Sequence, residues 1–319
     1  MRRHQRNLVA VRIAVVDIGT NSTRLLLADV AEDGSITELA RRSEVTRLGV
    51  GVDSSGVLSE EAMERVFATL DDYSAMIEQL GGADQRRAVL TSATRDAANG
   101  AEFTQQVAER YQLDARAIAG EQEAQLSFLG ATSGRDPDDG SQIVVVDIGG
   151  GSTELIIGHG RTVGFHVSTQ LGVVRQSERH IVHDPPTTAE IDELNSEIDD
   201  VLAAGVPQAE REHVTTIIAV AGTATSMAAI DLELEPYDPE AVHGYRVSLE
   251  RCREIAARMA SMPEAERREV AGLHPDRAPT ILAGTQILVR VIEAFGLNEV
   301  EVSEHDILYG VALDAAFNS

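Results

Sequence analysis

Lysine is absent from this chain of 319 residues: every one of its 27 basic residues is arginine, against 52 acidic ones. A P-loop lysine is therefore impossible, and no Walker A pattern occurs, which excludes P-loop phosphate chemistry. Tryptophan is missing too, aromatics are 3% of the chain, and Cys252 is the lone cysteine, so no internal disulfide can form. No apolar run approaches the length of a bilayer span. Met1-Arg2-Arg3 resembles the start of a signal peptide, but Arg12 and Asp17 interrupt the apolar stretch behind it. A cytoplasmic protein is expected. The net charge of −25 opposes general nucleic-acid or acidic-membrane binding by long-range repulsion. A small anion in a local pocket remains open to it, held by arginine, backbone N–H groups or a metal.

What is present is a globular composition, 43% hydrophobic and 25% charged, long enough for two domains of about 150 residues each. An internal repeat divides it. Val15-Val16-Asp17-Ile18-Gly19-Thr20-Asn21-Ser22-Thr23-Arg24-Leu25-Leu26-Leu27 aligns with Val145-Val146-Asp147-Ile148-Gly149-Gly150-Gly151-Ser152-Thr153-Glu154-Leu155-Ile156-Ile157, at an offset of 130 and with eight of 13 positions identical. Each copy reads as a buried β run, a tight Gly/Asn/Ser turn and a second β run, the pattern of a hairpin. One copy alone would be an ordinary hairpin; two at domain-sized separation indicate a duplicated fold. Strands expected at 88–92, 115–118, 215–220 and 299–302 alternate with helices at 60–80, 101–111, 123–132, 188–204, 249–261, 278–295 and 304–317. That alternation reads as α/β layers. The Gly-, Pro- and Asp-rich stretch Ser133–Ser141 is the best linker. Residues 1–132 and 133–303 are therefore expected as the two domains.

The repeated turn suits phosphate. Gly19, Asn21 and Ser22 in one copy, and Gly149, Gly150, Gly151 and Ser152 in the other, let consecutive N–H groups converge on an anion; the hydroxyls of Thr23 and Thr153 are expected to add donors. Asp17 and Asp147 cannot bind an anion directly, so they are expected to hold a divalent cation, Mg²⁺ first and Mn²⁺ as substitute. The repeat breaks where Arg24 is matched by Glu154. Arg24 suits a phosphate oxygen, whereas Glu154 needs a metal or water in between. Thr94 and Arg95 (in Thr91–Asp96), and Gly222 and Thr223, each lie between a β run and a helix and are expected to bind anions too. Gly120-Glu121-Gln122-Glu123-Ala124 places carboxylates at a helix start, where capping alone would account for them. His180 and His183, three apart on a possible helix, lack a third metal ligand and read as structural.

These motifs together resemble the exopolyphosphatase / guanosine pentaphosphate phosphatase (Ppx/GppA) family of the actin-like ATPase superfamily. The resemblance also takes in Gln170-Leu171-Gly172-Val173-Val174-Arg175, Gly222-Thr223 and Gly272–Gly284 with Asp276-Arg277-Ala278, and so covers nearly the whole chain. It implies two actin-like (ASKHA, ribonuclease H-like) domains with the active site in a cleft between them, and a C-terminal helix, about 304–319, returning to the first domain. It also implies the short form of the family, without the extra C-terminal helical domain of long members. By the same resemblance Glu123 is the catalytic base; Glu154, from its place in the repeat, is expected to act in catalysis and as a metal ligand, and Arg175 and Arg277 to receive substrate. The sequence departs from the family at Gln122, where the family has Glu, and at Ser303-Glu304-His305-Asp306, where it has Ser-Asp. The implied reaction is hydrolysis of the terminal phosphoanhydride of polyphosphate, with guanosine pentaphosphate (pppGpp) as alternative substrate and a homodimer as the assembly. Sugar or acetate kinases share the fold but would need an acceptor pocket. A non-catalytic phosphate sensor would have no use for Glu123 or Glu154 among its donors.

Overall fold

The computed structural model describes residues 10–138 and 140–318; Met1-Arg2-Arg3 and one residue of the Ser133–Ser141 stretch lie outside them. By its contacts the chain forms two compact units, one running to Leu126 and resuming at Ile307, the other Ser127–Asp306.

The first unit is built on β1 (Ala10–Ile18), β2 (Thr23–Ala31), β3 (Ile36–Glu44), β4 (Gln85–Leu90) and β5 (Asp114–Ala117), in the order β3-β2-β1-β4-β5. β1, β2 and β3 form an antiparallel meander, and β4 and β5 add to β1 in parallel. Val16, Ile18, Leu25 and Leu27 face one side, where Phe67 and Leu70 of the helix Glu60–Gln79 and Phe103 and Val107 of the helix Gly100–Tyr111 complete a core. The helix Ile307–Phe317 packs on β1 and β2. Gly310 lets it meet the backbone of Leu126, where a Cβ would overlap the carbonyl.

The second unit repeats that plan. β6 (Gln142–Ile148), β7 (Thr153–His159) and β8 (Thr162–Thr169) form the meander, and β9 (Thr216–Val220) and β11 (Glu299–Val302) continue in parallel from β6. β10 (Arg246–Ser248) closes the far edge antiparallel to β11, giving the order β10-β11-β9-β6-β7-β8. Two sheets with the same connectivity, each a meander extended by parallel strands, are the ribonuclease H-like plan of actin-like proteins. The internal repeat is thus a repeat of topology. Val144, Val146, Leu155 and Ile157 form the core of this unit with Leu194, Ile198, Ile287 and Ile292.

The expected hairpins prove to be the first two strands of three-stranded meanders. β3 and β8 escape a reading by hydrophobicity because they are edge strands: β3 buries only Ala40, and β8 alternates exposed with half-buried positions. The expected strand 88–92 ends at Leu90, and Ser92 opens a helix. The possible helix carrying His180 is Val173–His180, which buries only Val173 and Gln176. His180 ends that helix and His183 lies beyond it, so the two do not share a helical face. Each meets its own carboxylate, His180 Nε2 with Glu197 at 2.7 Å and His183 Nδ1 with Glu190 at 3.0 Å.

Glu190 also completes a capping box with Thr187 at the start of the helix Thr188–Gly205. The backbone N–H of Thr187 first, then His183, hold its carboxyl well below its ordinary value of 4.5. A depressed carboxylate contributes stability above its unfolded pKa and loses it as pH falls through the folded one. Glu190→Gln is expected to lower Tm by about 2–4 °C at pH 7, with the gap narrowing at acid pH. Thermal melts at pH 7 and pH 3 check this; a gap independent of pH would contradict it.

Candidate active site

In the first unit, Gly19 N–H closes the β1–β2 turn on the Ser22 carbonyl at 2.9 Å. In the second, Gly149 N–H closes the β6–β7 turn on Ser152 at 2.9 Å. The N–H groups of residues 20–22 and 150–152 stand outside the hydrogen bonds that close the turns, which is the arrangement a backbone anion cradle requires.

Strand register sets what stands beside each turn. Asp17 is paired across the ladder with Arg24, and Asp147 with Glu154, so Arg24 and Glu154 occupy equivalent positions. Asp17 is only 3% exposed, and its Oδ2 accepts from Arg24 Nε at 2.9 Å and Nη2 at 2.6 Å. The first turn thus carries a nearly neutral pair at its base. At the second, two carboxylates stand directly opposite each other. Glu154 Oε1 is steadied by the hydroxyls of Ser152 at 2.6 Å and Ser168 at 2.9 Å. Like charges opposed on a ladder are destabilising without a counter-charge, so this pair suits a cation.

Thr23 and Thr153, expected to aim hydroxyls at the anion, are wholly buried. Thr23 Oγ1 meets Thr46 Oγ1 at 2.9 Å, and Thr153 Oγ1 donates to the Leu171 carbonyl at 2.5 Å. Their hydroxyls tie each turn to the segment that follows the meander.

The helix Ser92–Asp96 is joined to the first turn through Ser92 Oγ and Thr20 Oγ1, 3.0 Å apart. Thr94 is buried: its N–H bonds to the Thr91 carbonyl, and its hydroxyl meets no partner among the described residues. Arg95 Nη1 donates to the Ile118 carbonyl at 3.0 Å and to Glu123 Oε2 at 3.1 Å. Glu123, on the first turn of the helix Gly120–Ala131, therefore spends its carboxylate on an arginine; its side chain is 15% exposed. Glu121 and Gln122, by contrast, are exposed.

In the second unit Arg175 is brought to the turn, its Nε 3.1 Å from the Gly151 carbonyl. Gly222 and Thr223 open the helix Ala221–Asp231 after β9. Ala221 there holds φ 62°, a left-handed conformation that costs a non-glycine residue energy and marks sites held for a purpose. The Arg277 guanidinium meets the Gly222 carbonyl and Ser226 Oγ, and a Cβ at position 222 would overlap it. Sequence reasoning missed Tyr237 and His243, which gather on the Ser303–Asp306 departure. Tyr237 donates its hydroxyl to Glu304, His243 stacks on His305 with ring centroids 4.0 Å apart, and Ser303 N–H bonds to the Ala219 carbonyl at the end of β9. These contacts span 60 residues or more, with no periodic mark in the chain.

Residues 27–317 match the model of the Ppx/GppA phosphatase family, and the chain belongs to that family, whose members hydrolyse phosphoanhydrides. It is 35% identical to exopolyphosphatase 2 of Mycobacterium tuberculosis, over 97% of this chain and 100% of that one. The crystal structure of an exopolyphosphatase-like protein covers 96% of this chain and 98% of its own, at 36% identity and TM-score 0.87. The Aquifex aeolicus family member covers 97% and 99%, at 29% identity and TM-score 0.83.

The Arg24/Glu154 asymmetry gives a direct expectation. Arg24→Ala should chiefly weaken substrate binding, and Glu154→Gln should chiefly lower turnover at saturating metal, each by about 2–4 kcal/mol. Arg24→Ala should also lower Tm, because it strips a buried carboxylate of its arginine. Steady-state kinetics with melts check both; near-wild-type KM and kcat in both variants would reduce the pair to ordinary strand residues.

Proposed function

We propose that this protein is an exopolyphosphatase that hydrolyses the terminal phosphoanhydride of inorganic polyphosphate and releases orthophosphate. The observation that carries this reading is the pair of equivalent turns, each closed Gly N–H to Ser C=O and each with a strand-end aspartate beside it. Phosphoryl transfer asks mainly for positioning and charge neutralisation around an in-line nucleophile. The N–H groups of residues 20–22 and 150–152 hold phosphate oxygens. Arg24 adds a planar fork of donors once phosphate competes with Asp17 for it. Arg175 and Arg277 receive phosphates further along the chain. Glu123, held by Arg95, orients the attacking water and takes its proton.

Among the described residues no group of three or more His, Cys, Asp or Glu gathers as a metal site. Mg²⁺ does not need one: it keeps several waters and takes one or two carboxylates plus substrate phosphates. The opposed Asp147–Glu154 pair fits that donor set with hard carboxylate oxygens. Asp17, engaged with Arg24, would help to hold the cation through water rather than directly. When bound, Mg²⁺ would neutralise charge on the phosphate oxygens and polarise the scissile phosphorus.

Orthophosphate release measured side by side with polyphosphate, pppGpp and ATP tests the reading. Polyphosphate is expected to be turned over fastest. Faster turnover of pppGpp would make the protein a nucleotide phosphatase, and no release from any of the three would leave a phosphate-binding protein without hydrolytic activity.

A further inference from the structure

A peptide plane carries its C=O and the next residue's N–H in opposite directions. Anchoring a turn's carbonyls from behind therefore decides where its N–H groups point. In the first unit the Thr20 carbonyl accepts from Gly49 N–H at 2.8 Å, and the Asn21 carbonyl from Arg47 N–H at 2.8 Å. These two planes carry the N–H groups of Asn21 and Ser22. In the second unit the Gly149 and Gly150 carbonyls accept from Val173 and Val174 N–H, each at 2.9 Å, and the Gly151 carbonyl accepts Arg175 Nε. Those planes carry the N–H groups of Gly150, Gly151 and Ser152. The start of the 173–180 helix is thus spent on turn carbonyls.

Both clasps are themselves locked. Thr46 and Thr153 make the hydroxyl ties already described. Leu48 is wholly buried. Arg65, from the 60–79 helix, donates Nε to the Thr46 carbonyl at 2.8 Å and Nη2 to the Arg47 carbonyl at 3.2 Å. Arg47 is kept at φ 51°, a left-handed conformation in a non-glycine residue. Neither clasp tolerates a Cβ at its closest approach: at Gly49 it would overlap the Thr20 side chain, and at Gly172 the backbone of Gly150 and Gly151.

We propose that residues 46–49, locked by Arg65, and residues 171–175 are positioning segments that aim the phosphate-facing N–H groups of the two turns, with Thr46 and Arg65 as positioning residues that do not touch substrate. This rests on the reading of the turns as phosphate cradles. Thr46→Val keeps the shape and removes the hydroxyl, and Thr46→Ser restores it. Because the cradle holds phosphate in ground and transition state alike, Thr46→Val should raise KM for polyphosphate about tenfold with kcat within about threefold. Thr46→Ser should return to within about twofold of wild type, and Arg65→Gln, at an exposed position, should behave like Thr46→Val.

Calorimetric titration with inorganic tripolyphosphate should show the same loss of affinity. If wild type binds tripolyphosphate, releases no orthophosphate, and Thr46→Val still weakens binding, the hydrolytic reading fails and the positioning role stands. A lowered Tm with wild-type KM and tripolyphosphate affinity in both Thr46→Val and Arg65→Gln would overturn the proposal. So would equal impairment of Thr46→Val and Thr46→Ser.

Discussion

Glu123→Gln is expected to lower polyphosphate turnover by roughly 10²–10⁴, the usual worth of general-base catalysis, while folding and substrate binding persist. Three features single this carboxylate out. It lies on the first helical turn of 120–131, its side chain is 15% exposed, and it is held at 3.1 Å by Arg95, which is anchored in turn on the Ile118 carbonyl. The helix N-terminus favours charge on Glu123, whereas a neighbouring phosphate opposes it. Glutamine keeps the shape and one acceptor for Arg95 but has no basicity, and it removes a repulsion toward phosphate, so affinity should hold or improve. Glu121→Gln, at an exposed position of the same turn, should change turnover little. Single-turnover orthophosphate release with a melting curve for each variant decides the matter. A Glu123→Gln protein that melts early yet turns over normally would make Glu123 a structural partner of Arg95, with the base elsewhere.

The repeat around Asp17 and Asp147 carried most of what the sequence could say. Identical residues at a constant offset imply equivalent places in a duplicated topology, and the ladders pair Asp17 with Arg24 as they pair Asp147 with Glu154. Elements with strong periodicity were legible almost to the residue, the helix Leu249–Ser261 and the strand Glu299–Val302 among them. What stayed hidden depends on contacts between distant residues. Arg95 meets Glu123 at a separation of 28, Thr23 meets Thr46 at 23, and Thr153 meets Leu171 at 18. None of these leaves a mark in local pattern. The threonines illustrate the difficulty: in sequence, Ser-Thr beside a glycine turn reads as two phosphate donors. Side chains alternate along a strand, so Thr23 and Thr153, as the first strand residues, turn into the protein while the turn itself faces the anion. The edge strands β3 and β8 were missed for the related reason that an edge buries too little to show an apolar pattern.

Removal of divalent metal is expected to abolish activity, to below about 1% of the saturated rate, by the measure of a catalytic charge worth several kcal/mol. A polyphosphate terminus brings several negative charges to a protein of net charge −25 with no lysine. Arg24 and Arg95 are engaged with Asp17 and Glu123. At the second turn Asp147 and Glu154 add two more negative charges at one register position. On the proposed reading these protein groups leave the terminal phosphate oxygens short of counter-charge, and the opposed carboxylates would be where a small hard cation gains most. Mg²⁺ should restore full activity to chelated protein, Mn²⁺ should substitute in part, and Ca²⁺ should serve poorly because its looser coordination positions phosphate less strictly. Glu154→Gln removes one of the two carboxylates, so it should raise the Mg²⁺ concentration needed for half-maximal rate about tenfold or more, the loss that even an outer partner of a metal ligand causes. The same variant should also lower the charge repulsion within the β6–β7 ladder, so without metal its Tm should equal or exceed that of wild type. Orthophosphate release titrated with Mg²⁺ after exhaustive chelation, alongside metal-free melts, reads both effects. Undiminished release in excess chelator would remove the metal from the mechanism and leave the Asp147–Glu154 pair to be explained as structure.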